Sequence, residues 1–310
     1  MTMLQRFLLF LLMAATAGLV GCGGSQKSVT PTPENPYSSL AVGTDTTLEI
    51  MTWNIENFAK AGNTTVEHVG EIVAGLDVDV VALQEIVAAS SFDRLAANLE
   101  GWDGYRAGDS SGGQNLAYLY RTDGPLEVTG IYEILGSQSR AFPRRPLVLE
   151  GTLDGVGYVV INNHLKCCGD GDIDPLDEWD EETRRRDACL LLHQYVADNF
   201  EGKRVIIVGD WNDELSDPAP DNVFQVFLDD PDNWRFVDLG IALDPDVLWS
   251  YPGWPSHLDH ILINGETFAD YDAPEAVVQV VPVQNVFEGG FSAYDSQVSD
   301  HLPVAVRLFP

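Results

Sequence analysis

Positive charge is what this sequence has least of. Its 310 residues carry 17 Lys and Arg against 48 Asp and Glu, a formal net charge of −31 at pH 7. Nucleic-acid binders grip phosphates with Lys and Arg that displace counterions. A general electrostatic hold on a polyanion is therefore excluded, and any phosphate must be met by a few local cations or a metal ion. Long apolar runs are missing too. The longest, from Phe7 to Val20, falls short of the ~20 residues that span a bilayer, which excludes a polytopic membrane protein. No internal repeat and no pair of Cys-x-x-Cys knuckles is present, and the Trp residues are not interleaved with basic ones as in a base-stacking platform. What remains is ordinary globular composition: 45% hydrophobic residues, 28 Gly and 17 Pro.

The N-terminus reads as targeting. Arg6 precedes the short apolar run, which ends in Leu19-Val20-Gly21-Cys22, the pattern of a cleaved signal. The tetrapeptide resembles the bacterial lipobox, in which the cysteine becomes the lipidated first residue of the mature chain. That resemblance implies lipidation at Cys22 and anchoring at the bacterial cell envelope, periplasmic or on the cell surface, with the outer membrane as the expected membrane. Removing residues 1–21 loses only Arg6, so the mature chain stands at −32. Residues 22–46, rich in Gly, Ser, Thr and Pro, read as a flexible tether. The domain is expected over 47–310, within the size of one large α/β unit.

With Cys22 assigned to lipid, Cys167, Cys168 and Cys189 remain. Adjacent cysteines bridge each other only with strain, so a disulfide from Cys167 or Cys168 to Cys189 is the expected arrangement. The rival is zinc on Cys189, His193 and the Cys167–Cys168 pair.

Strands and helices alternate through the first two thirds. Leu48 to Asn54 alternates as a strand, and Val66, Val69, Ile72, Val73 and Leu76 recur at helical spacing behind Thr64 and Thr65. Val78–Leu83 reads as a buried strand, and Phe92, Leu95, Ala96 and Leu99 as a helix stripe capped by Ser90 or Ser91. Further strands are expected at 116–120, 126–131, 147–153, 158–163 and 204–208, with a long helix over 181–199. The last third reads as all-β, with strands near 260–264, 276–283 and 302–308. Too few strand pairs are joined by helices for a single parallel sheet, so two mixed sheets packed together with outer helices fit better.

Polar side chains stand at the ends of these strands: Asn54 and Glu56, Glu85, His164, Asp210 and Asn212, Asp259 and His260, Asp300 and His301. Carboxylates, amides and histidines without a Ser-His nucleophile pair form the inventory of metal-assisted hydrolysis. Hard oxygen ligands favour Mg2+, with Mn2+ or Ca2+ as alternatives.

Eight segments now stand in order: MTWNIENF (51–58), DVVALQEI (79–86), NLAYLYR (115–121), FPRRP (142–146), NNHLK (162–166), VGDWND (208–213), SHLDHIL (256–262) and SDHLPV (299–304). Together they resemble the endonuclease/exonuclease/phosphatase superfamily, which includes deoxyribonuclease I, repair endonucleases, inositol-phosphate phosphatases and neutral sphingomyelinases. The resemblance implies a four-layer α/β sandwich, two mixed central β-sheets flanked by helices. It implies Glu85 as principal metal ligand, Asn54 supporting metal and phosphate, and Asp300 close to the metal. His301 would contact the scissile phosphate, oriented by Asp259. Asp210, fixed by Asn212, would handle the proton of the attacking water or of the leaving oxygen, two roles that stay open.

His164 matches a second acid/base histidine of deoxyribonuclease-like members, but Gln114 occupies the place expected for its carboxylate partner. The ring is then expected to stay neutral and act as a donor. Arg144 and Lys166 are the expected phosphate contacts. Arg184, Arg185 and Arg186 are expected to be solvated or paired with Asp180–Glu182, with one free to face the cleft. Trp53, Trp211 and Trp254 are expected in the core or cleft walls. Asp170, Asp172, Asp174 and Glu181 occupy positions 1, 3, 5 and 12 of a calcium-loop pattern in which Pro175 stands where glycine is wanted; an acidic surface loop is the simpler reading.

The expected activity is thus Mg2+-dependent phosphodiester hydrolysis by a monomer. An endonuclease-like action on nucleic acid comes first, because of His164. Phosphatase or sphingomyelinase-like action on small phosphoesters or phospholipid headgroups is the alternative. A non-catalytic surface-binding module would be expected to have lost some of the site residues, and all are present.

Overall fold

The computed structural model describes residues 34–310 apart from Asp45, Asp109 and Ser111; the leader 1–21, Cys22 and the first part of the expected tether lie outside the described residues. Asn35 to Pro310 form one compact unit. Residues 35–42, read as tether, belong to it. Asn35 caps a 3-10 turn over Pro36–Leu40 by accepting the Tyr37 N–H at 2.9 Å, and Tyr37 and Val42 are buried in the core. Two apolar side chains suffice to dock this short segment, and a composition rich in Ser and Pro hides them.

Among the described residues twelve strands form two sheets. They are β1 (Leu48–Phe58), β2 (Val80–Ile86), β3 (Trp102–Arg106), β4 (Asn115–Arg121), β5 (Glu127–Glu133), β6 (Leu147–Leu153), β7 (Val156–His164), β8 (Arg204–Asp210), β9 (Trp234–Phe236), β10 (Asp259–Asn264), β11 (Val277–Val280) and β12 (Val304–Leu308). The first sheet runs β11-β12-β1-β2-β4-β3 and the second β5-β6-β7-β8-β10-β9. Each has one parallel pair at its centre, β1–β2 and β7–β8, and antiparallel pairs elsewhere. A parallel pair needs a crossover. Helix α1 (Asn63–Leu76) supplies the first, with α2 (Ala89–Asn98) beside it, and α3 (Glu181–Asn199) supplies the second.

The period of two along the strands decides which side chain faces which layer. In β7 and β8, Tyr158, Val160, Ile206 and Val208 join the core shared by the two sheets, while Val159, Ile161, Val205 and Ile207 pack outward under Ala188, Leu192 and Val196 of α3. Buried polar groups bridge the sheets. The Tyr118 hydroxyl donates to the carbonyls of Leu147 (2.9 Å) and Val160 (2.8 Å), and the Asn162 amide to those of Leu83 (3.0 Å) and Ala117 (3.1 Å). These bonds satisfy groups that would otherwise cost about 1–3 kcal/mol each, and they fix the sheets against each other. The arrangement is the four-layer α/β sandwich that the resemblance implied.

The all-β reading of the last third is corrected. Helices α4 (Gln225–Leu228), α5 (Leu239–Ala242), α6 (Phe268–Tyr271) and α7 (Gly290–Gln297) lie among its strands. The first three are one turn long and offer no repeated helical period to read. Strand β3 also escaped notice, because it is a sheet edge with no buried residue. Among the described residues no helix is long and apolar enough to cross a membrane.

Near the start of β1, Glu49 is buried beside Asp79. Its carboxylate accepts from the Thr47 hydroxyl, and its N–H donates to Asp79 Oδ2 at 2.9 Å. Burial, then the bond and charge of Asp79, push its carboxyl up to about 8 against the pull of Thr47; Asp77 and Arg121 face the same pair through Asp79. The folded chain thus keeps a proton that the unfolded chain releases near pH ~4.3. Stability from this group is full below that pH and is lost as pH rises through the folded value. Glu49→Gln is expected to flatten the decline between about pH 5 and about pH 8 in urea melts; an unchanged slope contradicts the assignment.

Candidate active site

The polar residues picked out at strand ends converge on one edge of the sandwich. The C-terminal ends of β1, β2, β7 and β8 carry Asn54, Glu85, His164 and Asp210, and β10 begins there with Asp259. Register sets two neighbours directly: His164 pairs with Asp210 across β7–β8, and Asp210 with Asp259 across β8–β10. Gly209 makes this approach possible, because a Cβ there would sit 2.0 Å from the Asn163 carbonyl oxygen. At Glu85 the backbone turns to φ 65° where β2 shifts register against β4, and Asn212 takes φ 55° just after β8. Left-handed backbone at non-glycine residues costs of order 1–3 kcal/mol and persists where surroundings enforce it. Here it re-aims two site side chains.

Asn54 sits at the centre. Its Nδ2 donates to Asp210 Oδ2 at 2.9 Å and to Glu85 Oε1 at 3.3 Å, joining the two sheets through one amide. Glu85 Oε2 accepts from the Asn57 N–H (2.8 Å), and Asp210 Oδ1 from the Asn212 N–H (3.0 Å). On the other side, His301 Nδ1 lies 2.7 Å from Asp259 Oδ2. Side-chain ligand atoms of Asp210, Asp259 and His301 all fall within 4.8 Å of one another.

Electrostatics follow from this crowding. Burial pushes the Asp210 carboxyl up to about 7, with Asp259 and Glu85 adding to the rise and His301 opposing it. Burial alone would depress His301, but the charge and hydrogen bond of Asp259, then Asp210 and Asp300, raise it to about 10. His301 is therefore an imidazolium at neutral pH. His164 goes the other way: burial, then Arg144 and His301, hold it well below the usual histidine range, so its ring is neutral. Its Nε2 is 3.5 Å from Asp210 Oδ2 and its Nδ1 has no partner among the described residues. Gln114 turns away from it, accepting from Arg144 and donating to Asn57 at 3.1 Å.

Arg144 is inside the site, its charge disfavoured by burial and supported by Glu85 and Asp210, with a buried Nε that has no partner among the described residues. Asp300 is held by its own N–H on Glu56 (3.2 Å), and burial lifts its carboxyl to about 6. Lys166 turns onto the Cys167 carbonyl (2.7 Å) and towards Glu181 (3.4 Å). Of the three arginines, Arg185 is buried. It binds Asp213 (2.6 Å) and Glu182 (3.0 Å) and donates to the carbonyls of Lys166 and Cys168.

Sequence reasoning missed several supports. Ser299 Oγ donates to the Asn54 carbonyl (2.7 Å) and accepts the His301 N–H (3.0 Å). Tyr251 packs its ring 4.8 Å from that of His301. Asp238 holds His257 (3.0 Å), His260 (2.6 Å) and the Ile261 N–H (2.9 Å), anchoring both flanks of Asp259. Ser299 was legible within SDHLPV, whereas nothing near Asp238 in the sequence points to histidines some twenty residues later.

Three expectations are corrected. Cys167, Cys168 and Cys189 are free thiols: Cys189 is enclosed in the core beneath α3, and the sulfurs of Cys167 and Cys168 lie 3.0 Å apart. Among the described residues no bridge reaches Cys189, because its side chain faces the second sheet. The zinc alternative also fails, since His193 packs against Phe227 and Trp234 and no cysteine belongs to a metal-binding cluster among the described residues. Trp53 and Trp211 are core residues, but Trp254 is 76% exposed.

The model of the endonuclease/exonuclease/phosphatase family matches residues 51–301, from the start of the Asn54 motif to His301. The chain belongs to the endonuclease/exonuclease/phosphatase family. It is a phosphoester hydrolase by that membership. No curated protein is significantly similar in sequence. Among solved structures, D. rerio TDP2 complexed with a single-strand DNA product superposes with a TM-score of 0.64 at 15% identity, covering 85% of this chain and 99% of that one. The Bacteroides thetaiotaomicron mannosyl-6-phosphatase gives 0.55 at 17% identity over 84% and 99%. The human Nocturnin catalytic domain with bound sulfate gives 0.54 at 16% over 85% and 93%. At these identities the likeness is one of fold.

The donors of this family member fit a hard divalent cation. Asp210 is raised first by burial and then by the charges of Asp259 and Glu85, a repulsion that a cation relieves, and Glu85 keeps lone pairs beyond its two N–H bonds.

Proposed function

We propose that this protein hydrolyses phosphodiesters with a divalent metal ion, by direct in-line attack of water on phosphorus. The observation that carries the reading is the continuous chain from Glu85 through Asn54 to Asp210, with the Asp259–His301 pair facing it. A magnesium ion held by Glu85, with Asn54 and Asp300 beside it, would offset the charge of the phosphate oxygens. His301, held at Nδ1 by Asp259, presents Nε2–H to a non-bridging oxygen, where its positive charge meets the charge that builds up in the transition state. Asp210 has a carboxyl near the pH of use and is fixed by Asn54 and Asn212, so it can move the proton of the attacking water or of the leaving oxygen. Neutral His164 donates a hydrogen bond, and Arg144 supplies a local cation. One P–O bond forms to water and one breaks to the leaving oxygen.

The His164 pattern supports nucleic acid as substrate, and the product-bound TDP2 shows that the fold accommodates a strand in that protein. A second reading is favoured by the pairing of the cations. Lys166, Arg185 and Arg186 are all engaged with acidic side chains, which favours a small or weakly charged phosphoester. Salt separates the two. Repulsion of a polyanion by a chain of net charge −31 is screened over ~10 Å at ~0.1 M salt. With DNA and no basic groove, the second-order rate constant should rise with monovalent salt at fixed magnesium. With a small phosphoester it should stay nearly flat. A steep fall on DNA, as usual for nucleic-acid enzymes, would contradict the repulsion argument and favour the nuclease.

The lipobox-like Cys22 supports an envelope lipoprotein working outside the cytoplasm. Acyl labelling of the wild type and not of Cys22→Ser is the expected result, and a labelled variant contradicts it.

A further inference from the structure

Beside the catalytic edge, the chain leaves β7 into a loop that carries eight acidic side chains and no basic one between Asp170 and Glu182. The register of the calcium-loop pattern does not form. Asp172 and Asp174 are exposed, and Glu181 faces Lys166. A different set converges instead: Asp170, Asp180 and Glu182 each bring a carboxylate oxygen within 4.8 Å of the other two.

Glu182 is only 2% exposed, and its Oε2 has no hydrogen-bond partner among the described residues. Its Oε1 accepts the Gly171 N–H at 2.8 Å and pairs with Arg185 at 3.0 Å, so the side chain is locked in place with one oxygen open. The loop backbone is pressed over this carboxylate. Gly169 stands at φ +116°, and a Cβ there would lie 2.0 Å from Oε1 and 2.4 Å from Oε2. Asp180 reaches the cluster from the N-cap of α3, where its Oδ2 accepts the Thr183 N–H at 2.7 Å.

We infer that Asp170, Asp180 and Glu182 form a calcium site, separate from the catalytic edge. A buried carboxylate oxygen without a donor carries a desolvation cost that a directly bound cation removes. The three side chains offer only hard oxygen donors, and two of them stand at the beginning of α3 with the third on the loop before it. Calcium takes such irregular sets with water completing the shell, whereas magnesium demands a near-ideal octahedron and keeps most of its own water. Arg185, the one cation paired with the cluster among the described residues, is shared with Asp213, so the cluster keeps its attraction for a cation.

The site has a consequence for the cleft that does not depend on the proposed reaction. Arg185 binds Glu182, Asp213 and the carbonyls of Lys166 and Cys168. A cation on Glu182 would clamp the loop to α3 and, through Arg185, to the turn that follows Asp210. Calcium should therefore stabilise the fold and order this rim.

The test uses full-length protein in detergent carrying Glu85→Gln, so that the catalytic edge no longer competes for metal. Binding is read by calorimetry with calcium alone and by terbium luminescence excited through Trp179, which is 60% exposed next to Asp180. One equivalent of calcium is expected, with a melting temperature about 5 °C higher at ~100-fold excess over Kd. Asp170→Asn, an exposed change that leaves the fold intact, should weaken binding at least ~10-fold, and Glu182→Gln should abolish the terbium signal. No bound calcium, binding indifferent to Asp170→Asn, or equal competition by magnesium would overturn the proposal. None of these outcomes bears on hydrolysis by the wild type, which tests the catalytic reading separately.

Discussion

Asp210→Ala and His301→Ala are each expected to lower turnover by two to four orders of magnitude, the range for loss of a positioned general acid/base or charge stabiliser. The two differ in what they do to the fold. Asp210 is a buried carboxyl pushed up by its own burial and by Asp259 and Glu85, so removing it relieves repulsion, and the melting temperature should hold or rise. His301 neutralises Asp259, whose Oδ1 already lacks a partner, so its removal leaves a buried charge uncompensated and should lower stability. Circular dichroism, melting curves and turnover on a common substrate check both. Native spectra with activity within tenfold of wild type in both variants would remove these residues from the site.

The outline of the site was legible because the apolar strands advertise their own ends. Runs such as VVALQ and RVIIVG must be buried on both faces, so the polar residue that ends each one marks where the chain leaves the core, and four of these ends gather at one edge with the start of β10. The parallel pairs were less visible, since register and direction depend on partners distant in sequence. Nothing in the sequence marks Arg185, one of three consecutive arginines, as the buried one; that depends on the facing of α3 over Asp213, with Glu182 one turn back on the same helix. Cys189 misled for a related reason. Cysteine counting treats thiols as partners, but position 189 lies on the α3 face that packs into the second core, where a small apolar side chain is what fits. The docked segment around Tyr37 and Val42 escaped because two buried residues make no period.

The central claim is that this edge hydrolyses phosphoesters with a bound divalent ion. No side chain among Asn54, Glu85, His164, Asp210, Asp259 and His301 is a ready covalent nucleophile, and the one strong cation in the pair facing Asp210, His301, is fixed to Asp259. In the proposed reaction His301 and Arg144 meet part of the charge on the transferring phosphoryl group and a metal meets the rest, so that its loss should cost several kcal/mol. The direct measurement is hydrolysis of bis-p-nitrophenyl phosphate by chelator-stripped protein, before and after stepwise return of magnesium, in wild type and Glu85→Gln. Stripped wild type should lose at least ~10³-fold in rate and recover with magnesium, while Glu85→Gln should recover little at the same concentration. Undiminished turnover after complete stripping, or equal rescue of Glu85→Gln, would contradict the account.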